Sequence, residues 1–391
     1  MHAVKTLNKI SPKGTTLFGK EYSVSDSIEK PEAILVRSAQ VDTDSFSEEL
    51  LAVARAGAGV NNITIDKASA KGVCVFNTPG ANANAVAELV FTTLGIALRN
   101  IHKSLAWIGG LQGKEDKEIG EAVEKNKSAF VGTELSGKTI GVVGLGKIGV
   151  LVANGAIGRG MKVIAYEPYP SISNMILLNN TVSVTQSLDE LIASVDVLTV
   201  HVPFIKGKTE GLLNENNLAA FKGAYILNFA RNGIVSEKGV AEFLAKNKNN
   251  AYLTDFPSKS DLANQQVISF PHLGASTEEA EDNCATMAVE QLKDYLEFGI
   301  VRNSVNFPAL DGRPSASTKS RVVVINNDVP NMIALISKVF GDAKINITSF
   351  KNESNGKIGY NFIDIAESVT QELVNSLVKI EHIIRVRTIE F

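Results

Sequence analysis

From about residue 33 to residue 300 the chain alternates short apolar runs, bounded by glycine or polar residues, with longer stretches whose apolar positions recur every three or four residues. Runs of the first kind, with no polar face, read as strands buried on both sides, and stretches of the second kind read as helices. Their alternation predicts a doubly wound parallel sheet. Ala33-Ile34-Leu35-Val36-Arg37 predicts a strand, Glu48 to Ala54 a helix, Val73 to Phe76 a strand, and Asn84 to about Trp107 a long helix. Glycine and charge between Gly109 and Lys127 predict a surface loop. Next, Lys138 to Val143 predicts a strand, Val150 to Arg159 a helix, and Met161 to Tyr166 a second strand. Further strands are expected at Val195 to Val200, Ala224 to Phe229 and Val267 to Phe270, and a helix from Thr277 to Glu297 that stops at Gly299.

The pattern changes at Pro308 to Thr318, where proline, glycine and serine read as a linker. Beyond it, Arg321 to Ile325 alternates like a strand and Asn331 to Phe340 like a helix. Ile345 to Asn352 and Ile358 to Ile365 form a hairpin pattern around Ser354-Asn355-Gly356; Glu372 to Lys379 reads as a helix and Ile383 to Ile389 as a last strand. That order, βαββαβ, is a split βαβ sandwich.

The 391 residues suffice for two to three domains. A 44% hydrophobic and 21% charged composition excludes a disordered chain or a fibre. The most apolar stretch, Ala85 to Leu98, contains Glu88 and is too short to cross a bilayer. Met1-His2-Ala3-Val4-Lys5 lacks the apolar run of a signal peptide, and Cys74 and Cys284 form neither a CxxC pair nor a zinc site, so no metal and a cytoplasmic location are expected. A net charge of −3 with mixed signs gives no footprint for nucleic acid.

Between the strand and the helix on either side of residue 145 lies Gly144-Leu145-Gly146-Lys147-Ile148-Gly149. A GxGxxG turn in this context, with Glu167 at the end of the next strand, is the dinucleotide fingerprint. Gly144 permits the tight turn, Gly146 lets backbone N–H groups approach a pyrophosphate, and Gly149 lets helix and sheet pack closely. The positive helix end then faces the phosphates. Glu167 can accept both adenosine ribose hydroxyls and repels a 2′-phosphate, which predicts NAD rather than NADP.

Hydride transfer between an alcohol and a ketone requires a group that exchanges the hydroxyl proton and one that holds the substrate. Of five histidines, His201 and His272 follow strands at the sheet edge where open α/β folds bind ligands. Arg231 also follows a strand, and its planar fork suits a carboxylate.

Arg55-Ala56-Gly57-Ala58-Gly59-Val60-Asn61-Asn62, Asn77 to Asn82, the glycine turn, His201-Val202-Pro203, Asn228 to Gly233 and Pro271-His272-Leu273-Gly274-Ala275-Ser276-Thr277 occur in an order and spacing that resemble the D-2-hydroxyacid dehydrogenase family. Within it, the tail is similar to the ACT module of members that oxidise 3-phosphoglycerate with NAD, the first step toward L-serine. The resemblance implies two Rossmann-like doubly wound lobes: a discontinuous substrate lobe, 1–100 with 274–307, and an NAD lobe, 101–273. A linker, 308–319, and an ACT-like βαββαβ domain, 320–391, would follow. It implies that Arg231 holds the substrate carboxylate and His272 exchanges the proton, with Arg55, Ala58, Gly59 and Asn82 as substrate contacts. Lys147, Ile148, His201, Pro203, Ala230, Asp255 and Gly274 would join Gly144, Gly146, Gly149 and Glu167 around the cofactor. Arg37 and Lys9 are candidates for the substrate phosphate. Assembly as a homodimer through the NAD lobes, or a homotetramer through the tails, is the family expectation. The alternatives are another D-2-hydroxyacid dehydrogenase, acting on hydroxypyruvate or 2-oxoglutarate, and an NAD-sensing corepressor that binds partners instead of turning over substrate.

Two features depart from the family pattern. A glutamate paired with the histidine is usual five residues after the aspartate, but counting from Asp255 reaches Ser260. Either Asp261 substitutes for it, or His272 works without a carboxylate. In the tail, Asn326, Asp328 and Asn331 stand where serine-binding members commonly have histidine, asparagine and glycine, while Asn346 matches a further asparagine of the effector site. Asp328 and Asn346 are therefore the candidate L-serine ligands, and a tail used only for subunit pairing is the alternative.

Overall fold

Ala33–Val36, four consecutive buried apolar residues, forms strand β3 of a five-stranded parallel sheet. Its companions are β1 (His2–Leu7), β2 (Tyr22–Ser25), β4 (Ala52–Arg55) and β5 (Cys74–Phe76), in the order β2-β1-β3-β4-β5. The computed structural model describes residues 1–42 and 47–391 and divides them into two compact units, 1–82 with 278–391, and 83–277. The N-terminal sheet belongs to the first. Its β4 corrects the helix expected at Glu48 to Ala54: Ala52, Val53 and Ala54 are fully buried and pair with β3 on one side and β5 on the other. An unbroken apolar run satisfies both the helical and the strand period, and burial on both faces decides for the strand. Strands β1 and β2, which the sequence pattern did not reveal, complete this sheet.

The second unit is built on seven parallel strands: β6 (Thr139–Val143), β7 (Lys162–Tyr166), β8 (Ser183–Thr185), β9 (Val197–Val200), β10 (Tyr225–Asn228), β11 (Ala251–Thr254) and β12 (Val267–Ser269). Their order, β12-β11-β10-β9-β6-β7-β8, reverses direction between β6 and β9, the switch point at which doubly wound sheets bind nucleotides. Helix Ala83–Leu98 buries Val86, Val90, Leu94 and Leu98 in the same core as Ile140, Val142 and Val152, so the unit begins at Ala83 rather than at 101. The long helix expected to reach Trp107 breaks at Asn100, whose φ of 52° is left-handed, and restarts as Ile101–Gly109. The loop expected at Gly109 to Lys127 contains the helix Asp116–Asn126; none of its residues is buried, and Ile119, Ala122 and Val123, its short half-buried apolar stripe, stand among charges that mask the helical period.

After helix Glu278–Phe298 come the four antiparallel strands β13 (Ser320–Asn327), β14 (Ile347–Ser354), β15 (Ile358–Ile365) and β16 (Ile383–Glu390) in the order β14-β15-β13-β16. Helices Met332–Asp342 and Gln371–Val378 complete the expected βαββαβ order. This tail lies in the first unit. Val323, Ile325, Ile358, Tyr360, Phe362 and Ile389 share one core with Phe76, Tyr295 and Leu296. The stretch 308–319 is no free tether: Leu310 is buried and exchanges backbone hydrogen bonds with Val301, and Arg313 pairs with Asp294 at 2.6 Å. No helix among the described residues is long and apolar enough to cross a membrane.

Candidate active site

Register sets the site of the second unit. Tyr166, Val143, Val200, Asn228, Thr254 and Ser269 are consecutive partners across β7, β6, β9, β10, β11 and β12. The next residues in each strand, Glu167, Gly144, His201, Phe229, Asp255 and Phe270, therefore leave the sheet along one row, and Arg231 and His272 follow within two residues.

Each fingerprint glycine has a separate steric reason. Gly144 has φ +96°, and a Cβ there would meet Val202 Cγ1 at 2.7 Å and the His201 carbonyl oxygen at 2.9 Å. At Gly149 a Cβ would lie 1.9 Å from the Gly144 carbonyl oxygen, so the first turn of helix Lys147–Ile157 rests directly on the glycine turn. Gly146, the N-cap, is different: a Cβ would meet nothing within 4 Å. Open space in front of a helix N-terminus is where a pyrophosphate fits. Glu167 stands at the edge of that space and accepts hydrogen bonds from Leu145 N–H at 2.8 Å and Tyr169 N–H at 2.9 Å. The residues present thus fit a dinucleotide. Lys147 is exposed and Ile148 half-buried beside them.

His201 is buried, its Nε2 lies 2.9 Å from Thr199 Oγ1, and burial pushes its pKa down to about 3. A neutral imidazole at this place forms part of the wall, followed by Val202 and Pro203. Asn228 secures the next loop, donating to the Arg231 carbonyl at 3.0 Å and accepting from Ala230 N–H at 3.2 Å. Arg231 itself is exposed, and its Nη1 donates to the Ala230 carbonyl at 2.7 Å.

Asp255 is the buried charge of the row, with 2% of its surface exposed. Its Oδ2 accepts from Gly274 N–H at 3.3 Å, and its Oδ1 has no hydrogen-bond partner among the described residues. Burial pushes the carboxyl above the usual carboxylate range, opposed by the His272 imidazole, the Gly274 N–H and the Arg231 guanidinium. His272 and Arg231 thus both lie near enough to Asp255 to favour its charged form. Phe256, unmarked in the sequence reading, packs on the His272 ring with centroids 4.6 Å apart.

Asp261 does not join them. Its Oδ2 accepts from both Ser258 N–H and Ser258 Oγ at 2.8 Å, as N3 of the capping box that starts helix Lys259–Leu262. The carboxylate beside His272 is Asp255, and Asp261 satisfies the N-cap amide and hydroxyl of its own short helix.

In the first unit, the Arg55 guanidinium donates to the Arg37 and Gly59 carbonyls and braces the turn that carries Ala58 and Gly59. Asn77 holds the same turn through the Ala58 carbonyl at 2.6 Å, and Asn82 is half-buried at the end of the neighbouring loop. Arg37 forms an ion pair with Glu281 at 2.7 Å, while Lys9 is exposed. In the tail, Asp328 accepts from Ser354 Oγ, whereas Asn346 is exposed.

Residues 97–276 match the family described as D-isomer specific 2-hydroxyacid dehydrogenase, NAD binding domain. A curated D-3-phosphoglycerate dehydrogenase of Haemophilus influenzae is 31% identical over 353 residues, 87% of this chain and 82% of that protein. Proteins of the same name from Methanocaldococcus jannaschii and Bacillus subtilis are 33% and 35% identical over 78% and 73% of this chain. The chain spans only 57% and 53% of the length of these two. Among solved structures, the NAD+-bound 3-phosphoglycerate dehydrogenase of Entamoeba histolytica superposes with a TM-score of 0.61 at 25% identity, covering 79% of this chain and 99% of that one. The chain belongs to the D-isomer specific 2-hydroxyacid dehydrogenase family, and its 97–276 segment is that family's NAD-binding domain.

Proposed function

We propose that this chain oxidises 3-phosphoglycerate at C2 to 3-phosphohydroxypyruvate with NAD. The observation that carries the reading is the juxtaposition of Arg231, Asp255 and His272 on the same row of strand ends as the glycine turn and Glu167. The relatives named for this activity support the choice of substrate. Arg231 binds the substrate carboxylate through its fork and fixes which face of C2 is presented. His272 accepts the hydroxyl proton as the C2 hydrogen departs with its electron pair, and the Asp255 charge stabilises the imidazolium that results. NAD, when bound, supplies the acceptor for that hydride. Glu167 holds the adenosine ribose, and the neutral His201, Pro203, Ala230 and Gly274 line the cofactor's place. Arg55, Ala58, Gly59 and Asn82 are the substrate contacts assigned to the first unit.

Assembly as a homodimer or homotetramer in a reducing cytoplasm, with L-serine as effector through Asp328 and Asn346, belongs to the same proposal. Exposed Leu105 and Ile108 on helix Ile101–Gly109 support a subunit interface, and the two free, buried thiols support the compartment. Steady-state assays of the full chain with NAD and a panel of 2-hydroxy acids test the reaction. Turnover highest on 3-phosphoglycerate is the expected result. A higher kcat/KM on another 2-hydroxy acid overturns the substrate, and no turnover with intact NADH binding overturns the enzyme reading. Arg231→Lys should lower kcat/KM by on the order of 100-fold with NADH affinity unchanged, because a point charge cannot reproduce a two-pronged clamp.

A further inference from the structure

The backbone of Leu145, between the first two fingerprint glycines, is held by side chains on both of its polar groups. Its N–H donates to Glu167 Oε2 at 2.8 Å, and its carbonyl accepts from Asn174 Nδ2 at 3.2 Å. Asn174 lies on helix Ile172–Leu177, beyond the strand Lys162–Tyr166 that Glu167 follows. The Leu145 carbonyl and the Gly146 N–H belong to one trans peptide unit, so they point in opposite directions. A side chain that fixes the carbonyl therefore fixes the N–H as well. Among the described residues that N–H has no hydrogen-bond partner, and the space beside Gly146 is open.

We propose that Asn174 is a positioning residue for the dinucleotide pyrophosphate: by holding the Leu145 carbonyl it aims the Gly146 N–H into the phosphate site. The inference rests on the dinucleotide reading of the glycine turn and adds to it a residue that contacts no part of the ligand. Glu167 has two roles in the same clamp, ribose acceptor and anchor of the Leu145 N–H, whereas Asn174 acts on the phosphate side alone. Without its donor the peptide unit is free to rotate, and the N–H must be ordered at the moment of binding. That cost falls on affinity rather than on the chemical step.

The test uses the full chain and titrates NADH, ADP and adenosine into the wild type, Asn174→Ala, Asn174→Gln and Asn174→Asp. The aspartate is nearly isosteric but has no donor; the glutamine keeps one. Asn174→Ala should raise the Kd for NADH and ADP, and the KM for NAD, by about five- to tenfold, the effect of one lost hydrogen bond. Adenosine binding should not change, since adenosine carries no phosphate, and kcat should stay within about twofold of the wild type. Asn174→Asp should lose at least as much as the alanine at an unchanged melting temperature, and Asn174→Gln should recover part of the loss. NADH affinity within twofold of the wild type in both donor-less variants overturns the assignment, as does an equal loss of adenosine and ADP binding. A wild-type chain that binds none of the three overturns the dinucleotide reading itself.

Discussion

Asp255 and Asp261 lie six residues apart, and environment gives them different tasks. Asp255 is buried against Gly274 N–H and faces His272; Asp261 closes a capping box. Asp261→Asn should leave the pH profile of kcat/KM unchanged and cost at most about 1 kcal/mol of stability, the usual scale of a cap. Asp255→Asn should lower kcat/KM for oxidation by on the order of tenfold or more, because the imidazolium formed on His272 loses the opposite charge beside it. A shifted limb in Asp261→Asn would return that residue to the site. His201 makes a separate pH prediction. Its folded pKa is about 3 and its unfolded value about 6.5, so between these limits the unfolded state binds the extra proton. The stability from keeping it neutral is full above about pH 6.5 and falls by about 1.4 kcal/mol per pH unit below. Denaturant unfolding of His201→Gln at pH 7, 6 and 5 should show a flatter acid loss than the wild type; parallel curves would mean that the imidazole is not held neutral.

At the scale of elements, what the sequence revealed depended on burial. Parallel strands such as Val197–Val200 and Ala33–Val36 have every residue buried, and an unbroken apolar run reports that directly. Glu167, Arg231 and His272 were legible because each follows a short apolar run, although those strands are buried only in part. The helix expected at Glu48 to Ala54 fails because the five apolar residues Leu50 to Ala54 fit either period, and only pairing to β3 and β5 settles it. The turn of Asp261 back onto Ser258 and of Asn174 onto Leu145 depends on side-chain direction, which spacing along a chain does not encode. The glycine turn shows the opposite limit, where one residue type is imposed by contact. In Gly149→Ala the new methyl would lie 1.9 Å from the Gly144 carbonyl oxygen, and backbone must move to admit it. Helix Lys147–Ile157 would have to withdraw from the turn, so NADH affinity should fall by on the order of tenfold or more, with a lower melting temperature. An alanine variant with wild-type affinity and stability would show that the turn is not built on this contact.

For the molecule as a whole, the tail is bound into the first unit rather than appended to it. The last carbonyls of an α-helix lack partners within the helix and carry its negative dipole end. In helix Glu278–Phe298 the tail satisfies them with cations and a phenol. Arg387 donates to the Tyr295 and Leu296 carbonyls, Arg321 to Phe298 at 2.8 Å, and Tyr360 to Gly299 at 2.6 Å. Arg321, 1% exposed, also makes a two-pronged pair with Asp364 at 2.6 and 2.8 Å and stacks on Phe362. Breaking such a buried pair from one side costs about 3–5 kcal/mol, because the remaining charge has no water to turn to. Asp364→Ala should therefore lower the melting temperature of the full chain by several degrees or more. Ending the chain at Thr318 goes further: it exposes Phe76, Tyr295 and Leu296 and leaves the helix end uncapped, so the truncated protein should aggregate or melt well below the full chain. Loss of activity on truncation would then report a lost core rather than a lost regulator, and an effector at the tail has to be tested with Asp328 and Asn346 substitutions in the intact chain. A truncated protein that stays soluble, melts with the full chain and keeps its kcat/KM would show instead that the tail is a separable module.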